Sequence, residues 1–262
     1  AHFYAKQKEK ISLDSEKQLD EILKELEGCS FSVAELKKGE RRRKAPQPFT
    51  TSTMQQEAAK VLNFSTQKTM RLAQQLYEGI EIKGNGTVGL ISYLRTDSTR
   101  ISEEADTAAR EYIREQYGEQ FASRNNTTGN QNRKAQDAHE AIRPTDVSRT
   151  PAAMKDSLSR DQFRLYQLIW KRFVASRMEA AVYETISAVI RGGGYDFHAS
   201  ASRVKFEGFM TVYTEEDEEK KDNCVQLRSL DENSELALVQ YDKEQHFTQP
   251  PAHYTEASLV KT

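Results

Sequence analysis

The feature that most constrains this fold is a change of hydrophobic period along the chain. From about residue 52 to 180 apolar residues recur at helical spacing, whereas both flanks alternate with period two, as strands with one buried face do. On the downstream flank, Thr185 to Ile190, Gly192-Gly193-Gly194 and Tyr195 to Arg203 read as a hairpin. Gly208 to Tyr213, Cys224 to Leu230 and Leu236 to Phe247 read as further strands. On the upstream flank, Phe3 to Leu13 and Phe31 to Lys44 read as strands around one helix. That helix begins at a capping box, Ser15 with Gln18, carries the stripe Leu19, Ile22, Leu23 and Leu26, and stops at Gly28. Pro46 and Pro48 then break regular pairing and mark a boundary.

Inside the central block, Thr53 with Gln56 caps a helix carrying Ala58, Val61 and Leu62, and Ser65 starts another with Met70, Ala73, Leu76 and Tyr77. Ser102, followed by Glu103 and Glu104 in a favourable first turn, begins a third. Arg124 to Asn132 has no core-forming periodicity and reads as a mobile polar loop. Thr150-Pro151 is a helix start, and Ser159 with Gln162 opens the longest helix, with the stripe Tyr166, Ile169, Trp170, Phe173 and Arg177. The fold class expected is α+β. A mostly β domain from residues 1–51 and 181–249 receives an inserted helical domain at 52–180, and a further helical domain begins at 250–262.

With 38 Lys and Arg against 40 Asp and Glu, the net charge is −2, which argues against a surface that grips duplex DNA everywhere. Any nucleic-acid contact must be local. Arg41-Arg42-Arg43-Lys44, Arg133-Lys134, Arg143 and Arg149 supply basic spots, and Glu215 to Glu219 is a repelling acidic run. Cys29 and Cys224 show no metal spacing and read as reduced thiols. No apolar run approaches membrane-spanning length and no secretory signal opens the chain, so no membrane partner and a cytoplasmic location are expected. The chain starts without Met, at Ala1, and stops at Thr262 inside a helix just begun, which suggests a piece of a larger protein.

The chemistry centres on Gly89 to Arg100. Val88 to Leu94 reads as a short buried strand leading into a loop, and in extended chain Tyr93, Arg95 and Asp97 share one face and Leu94 the other. A phenol beside a guanidinium suits a tyrosine nucleophile attacking a phosphodiester. Holding a phenol of pKa near 10 as phenolate at neutral pH costs about 4 kcal/mol. One cation about 4 Å away in a partly solvated site is worth on the order of that figure. A core tyrosine resting on a strand-end arginine fits Tyr-x-Arg as well, since the pattern is short.

The segment Ile91-Ser92-Tyr93-Leu94-Arg95-Thr96-Asp97-Ser98-Thr99-Arg100 resembles the active-site segment of bacterial type IA DNA topoisomerases. Asp137-Ala138-His139-Glu140-Ala141-Ile142-Arg143-Pro144-Thr145 resembles a second segment of that family, and Pro250 to Lys261 a third. The resemblance implies a β arch carrying a helical domain with the tyrosine at its tip. It also implies transient cleavage of one strand through a 5′-phosphotyrosine link, strand passage and religation, which relax negatively supercoiled DNA without ATP.

By motif position Tyr93 is then the nucleophile, Arg95 the phosphate-binding partner, and His139 lies beside the scissile phosphate. Arg143, Thr96, Ser98 and Asp97 are candidate DNA contacts. Arg143 could equally pair with Glu140, and Asp97, Thr96 and Ser98 could orient the arginine or cap the loop. The family's magnesium is held by acidic residues of a Toprim domain, including an Asp-x-Asp pair that this sequence lacks. Magnesium is therefore expected in the complete enzyme and none in this stretch, with the missing N-terminal Toprim domain a required partner. Single-stranded DNA and negatively supercoiled duplex are the implied substrates. A non-catalytic single-strand-binding or docking module and a tyrosine recombinase are the competing readings.

Overall fold

The computed structural model describes residues 1–6, 9–82, 84–123, 139–214 and 230–260. In chain order, β1 (His2–Lys6), β2 (Glu9–Lys10), α1 (Glu16–Leu26) and β3 (Phe31–Arg43) come first. Next come α2 (Thr51–Leu62), α3 (Thr66–Glu78), β4 (Ile80–Ile82), β5 (Gly86–Val88), α4 (Glu103–Tyr117), α5 (Pro151–Met154) and α6 (Arg160–Ser176). The chain continues with β6 (Ala181–Gly192), β7 (Tyr195–Phe206), β8 (Glu235–Leu236) and α7 (Glu256–Leu259). The described residues of Ala1–Arg43, Val182–Phe206 and Glu219–Gln249 form one compact unit, and those of Lys44–Ala181, Glu207–Glu218 and Pro250–Thr262 a second.

The first unit is a six-stranded sheet in the order β2-β1-β7-β6-β3-β8. Its spine is the β6–β7 hairpin, paired from Val182 with Phe206 to Gly192 with Tyr195. Gly193 (φ 58°) and Gly194 (φ 83°) make the two-residue turn, and two successive positive φ values match the strand twist. α1 lays Ile22 and Leu26 on Phe31 and Tyr195, with Phe3, Leu23, Ile190 and Phe197 packed around them. The Tyr195 hydroxyl donates to Glu25 Oε2 at 2.7 Å and accepts from Lys6 Nζ at 2.9 Å. Those hydrogen bonds, Tyr195 first and then Lys6, hold the Glu25 carboxyl below the usual carboxylate range.

Three upstream and downstream expectations need correction. Phe3 to Leu13 is not one strand but folds back on itself, with Ala5 opposite Lys10. Ser15 does cap α1 by accepting from Gln18 N, but the Gln18 side chain spans to Asp14 N and Ser12 O, so the box is not reciprocal. Of Leu236 to Phe247, only Leu236 pairs, as Glu235–Leu236 opposite Phe31–Ser32. Beyond it Val239 is 91% exposed and Phe247 is also on the surface, so no buried face exists for an alternating pattern to cover. Arg124 to Asn132, Arg133-Lys134, Glu215 to Glu219 and, of Cys224 to Leu230, residues 224–229 lie outside the described residues.

In the second unit the helices start where hydroxyl caps permit. Ser65, Ser102 and Ser159 cap α3, α4 and α6, the last through a reciprocal box with Gln162. α2 starts at Thr50 rather than Thr53. The Thr53 hydroxyl accepts from Thr50 N at 2.9 Å, completing a box one turn earlier, while Gln56 donates to Ser52 Oγ. α6 buries Leu165, Tyr166, Ile169, Trp170 and Phe173. Tyr166 Oη donates to Arg149 O at 2.6 Å and Trp170 Nε1 to Val147 O at 2.9 Å, which pins residues 147–149 to the helix. Burial pushes the Tyr166 phenol well above its ordinary range.

At the end of α6, Arg177, only 3% exposed, donates to Asp106 Oδ1 at 2.9 Å, and Arg110 Nε meets Asp106 Oδ2 at 2.6 Å. Burial alone would raise the Asp106 carboxyl. Hydrogen bonds from the two arginines outweigh it and hold the group below its usual value. Gly208 to Tyr213 is no strand. Gly208–Thr211 is a 3-10 turn in which Gly208 has φ 51° and a Cβ would fall 2.5 Å from Glu179 O. Tyr213 Oη donates to Glu57 at 2.8 Å and accepts from Arg172 at 3.0 Å.

Candidate active site

β4 and β5 form a small hairpin that delivers the chain to Gly89 beside the end of α3. Leu90 N donates to Leu76 O at 2.7 Å. A Cβ on Gly89 would lie 2.7 Å from Tyr77 O, so only glycine fits this approach. The expected strand from Val88 to Leu94 does not form. β5 ends at Val88, and past it one isolated bridge, Ile91 with Pro144, replaces a ladder. Side chains nevertheless alternate: Leu94, Thr96 and Ser98 are buried, while Tyr93, Arg95 and Asp97 are exposed.

Hydroxyl groups hold this irregular segment in place. The Thr51 hydroxyl, in the first turn of α2, donates to Leu94 O at 2.7 Å and accepts from Thr96 N at 2.8 Å. Thr51 N donates to Thr96 O at 2.9 Å. Thr96 Oγ1 accepts from Ser98 N and Ser98 Oγ from Arg100 N, a run of local side-chain turns. Thr96 and Ser98 are only 8% and 7% exposed, and their hydroxyls act on the loop's own backbone. Between the two sequence roles left open for them, this is the loop-capping one.

The second motif runs antiparallel beside the first. Ser92 N donates to Arg143 O, Thr145 N to Leu90 O, Ala141 N to Arg100 O and Ile142 N to Phe49 O, all at 2.8–3.0 Å. This brings His139 to Tyr93. Their rings stack at 27° with centroids 5.7 Å apart, and Tyr77 meets the same phenol edge-on at 5.5 Å. Tyr93 is 42% exposed, so the phenol is reachable rather than a core side chain. Arg95, Asp97, Thr96 and His139, with Thr50, Thr51 and Ser52, line a hollow of about 370 Å³. The start of α2 forms one wall, which adds the positive end of a helix dipole to the Arg95 charge.

Arg143 is the candidate placed otherwise. Its guanidinium pairs with Glu140 at 2.7 Å and donates to Pro144 O at 3.0 Å, the helical-spacing partner the sequence also allowed. Thr51, Ser92 and Tyr77 belong to the site and were not singled out by sequence. Tyr77 was visible as a helix-face residue of α3, but nothing in the local pattern points it at Tyr93. Among the described residues no three His, Cys, Asp or Glu side chains gather into a group that could hold a metal ion. No helix among the described residues is long and apolar enough to cross a membrane.

An exposed phenol thus stands against an imidazole, with a guanidinium and a helix start in the adjoining hollow. A family model described as DNA topoisomerase matches residues 1–262, and the chain belongs to the bacterial type IA DNA topoisomerases. Its structure is similar to that of full-length topoisomerase I from Thermotoga maritima in a monoclinic crystal form, with TM-score 0.78 and 39% sequence identity. The match covers 97% of this chain and 40% of that one, so the chain spans less than half of that protein's length.

Proposed function

We propose that this chain supplies the cleaving tyrosine of a cytoplasmic type IA topoisomerase that relaxes negatively supercoiled DNA. The observation carrying this is the stack of Tyr93 on His139 beside the hollow that Arg95 lines. In the proposed reaction the Tyr93 phenol oxygen attacks a phosphorus of single-stranded DNA. The P–O3′ bond breaks, the phenol proton passes to the departing 3′-oxygen, and the 5′-phosphate stays on the tyrosine. Reversal after strand passage restores the phosphodiester, so one ester replaces another and no ATP is consumed. Arg95 holds a non-bridging oxygen and offsets the charge that builds on it, and a His139 N–H donates to the phosphate. Magnesium, and the acidic residues that hold it, belong in this reading to a Toprim domain. This chain on its own cleaves no faster than background and relaxes no supercoils; relaxation by the purified polypeptide would refute that.

The deciding experiment forms a cleaved-DNA adduct with the complete protein and locates it by mass spectrometry. A 5′-phosphate on Tyr93 is expected, and Tyr93→Phe is expected to abolish it. A 3′-linked adduct would indicate recombinase-type chemistry instead. The exposed Tyr77–Tyr93 pair favours a second reading, a stacking platform for unpaired bases, which predicts that Tyr93→Phe keeps full function.

A further inference from the structure

Resting on Tyr93 as the nucleophile, we infer that Ser92 is a positioning residue that sets the His139 segment against the phenol. Ser92 directly precedes Tyr93, and its side chain points away from solvent into the second motif. The hydroxyl donates to Ala141 O at 2.7 Å and accepts from Arg143 N at 3.0 Å, while Ser92 N donates to Arg143 O at 2.9 Å. Three hydrogen bonds from one residue thus fix both sides of Ile142. Ala141 lies two residues after His139, so the imbalance created by losing the hydroxyl falls at the end of the paired segment nearest the imidazole. Thr145 N to Leu90 O and the Ile91–Pro144 bridge keep the two segments together farther along, and at this end Ala141 N to Arg100 O and Ile142 N to Phe49 O tie the segment to other backbone, leaving the Ser92 hydroxyl as the side-chain link to the residue preceding Tyr93.

The division of labour is with Thr51. Thr51 holds Leu94 and Thr96 on either side of Arg95, so it sets the guanidinium's base. Ser92 sets the imidazole's. One hydroxyl on each side of Tyr93 therefore determines how its two partners meet it. Misplacement by about 1 Å is enough to slow a positioned reaction up to about 100-fold.

The test compares Ser92→Thr with Ser92→Val in the complete polypeptide, a near-isosteric pair that differs in the hydroxyl. Single-turnover cleavage of a single-stranded oligonucleotide is the readout, with melting temperature as the check on folding. Ser92→Val is expected to cleave about 10- to 100-fold more slowly, and Ser92→Thr to stay within about threefold of the parent. Combined with His139→Ala, Ser92→Val adds less than about threefold, because a mispositioned imidazole is not lost twice. Cleavage by Ser92→Val within about twofold of the parent, or losses that multiply in the double variant, would overturn the role. Where the valine lowers the melting temperature, Ser92→Ala, which adds no bulk, carries the same two comparisons. Tyr93→Phe is run in parallel. Survival of cleavage there overturns the nucleophile itself, whereas loss there with full activity in Ser92→Val and Ser92→Ala overturns Ser92 alone.

Discussion

The β6–β7 hairpin and the Gly89–Arg100 segment are both extended chain with alternating burial, yet they are held by opposite means. In the hairpin the backbone pairs with its neighbour strand in continuous register from Tyr183 opposite Val204 to Gly192 opposite Tyr195, with one shift at Val182. In the active segment one isolated bridge remains, and Thr51, Ser92, Thr96 and Ser98 supply the partners that a strand would have supplied. A ladder fixes backbone and leaves side chains to packing. Hydroxyl clamps free the backbone to turn outward, so three alternate side chains, Tyr93, Arg95 and Asp97, are presented to solvent from a stretch that is otherwise tied down.

If the clamps and the scaffold beneath them are separate sources of order, removing each should have a separate signature. The largest stability loss is expected from Asp106→Asn, about 3 kcal/mol by chemical denaturation, because Arg110 and the buried Arg177 are left as like charges without their carboxylate. Because the folded carboxyl lies below its ordinary pKa, its contribution is complete above about pH 4 and fades as pH falls through the folded value. The stability gap between parent and Asp106→Asn should therefore narrow only below about pH 4.

Gly192→Ala challenges the ladder directly. Its Cβ would sit 2.5 Å from the Phe31 ring, and a loss of about 1–3 kcal/mol is expected, with faster amide exchange in β3 and β6 and unchanged exchange at residues 90–100. Thr51→Val makes the complementary cut. It strips Leu94 O and Thr96 N of their partner, and about 1–2 kcal/mol with exchange confined to residues 94–98 is the expected result. Glu40→Gln, at the exposed pair with Lys205, should leave the melting temperature unchanged within error.

What was legible in sequence follows the same division. The hairpin could be read because period two, a glycine turn and period two again are local signals, and Ser159 with Gln162 because a capping box spans one turn. The same alternation misled at Val88 to Leu94. Burial on every second residue records which way side chains face, not whether a neighbour strand exists. At Thr50 and Thr53 two overlapping hydroxyl caps competed, and the one that closes both bonds prevailed. Within the site, Tyr93, Arg95 and His139 stood in recognisable motifs. Thr51 and Ser92 did not, since their bonds join residues 43 to 51 positions apart and leave no spacing to read.

The contact of Gly89 with the Tyr77 carbonyl has a consequence for how this region can change shape. With no room for even a methyl group between them, the end of α3 and the start of the tyrosine segment cannot slide past one another. A change of shape in this region therefore has to bend at positions other than Gly89.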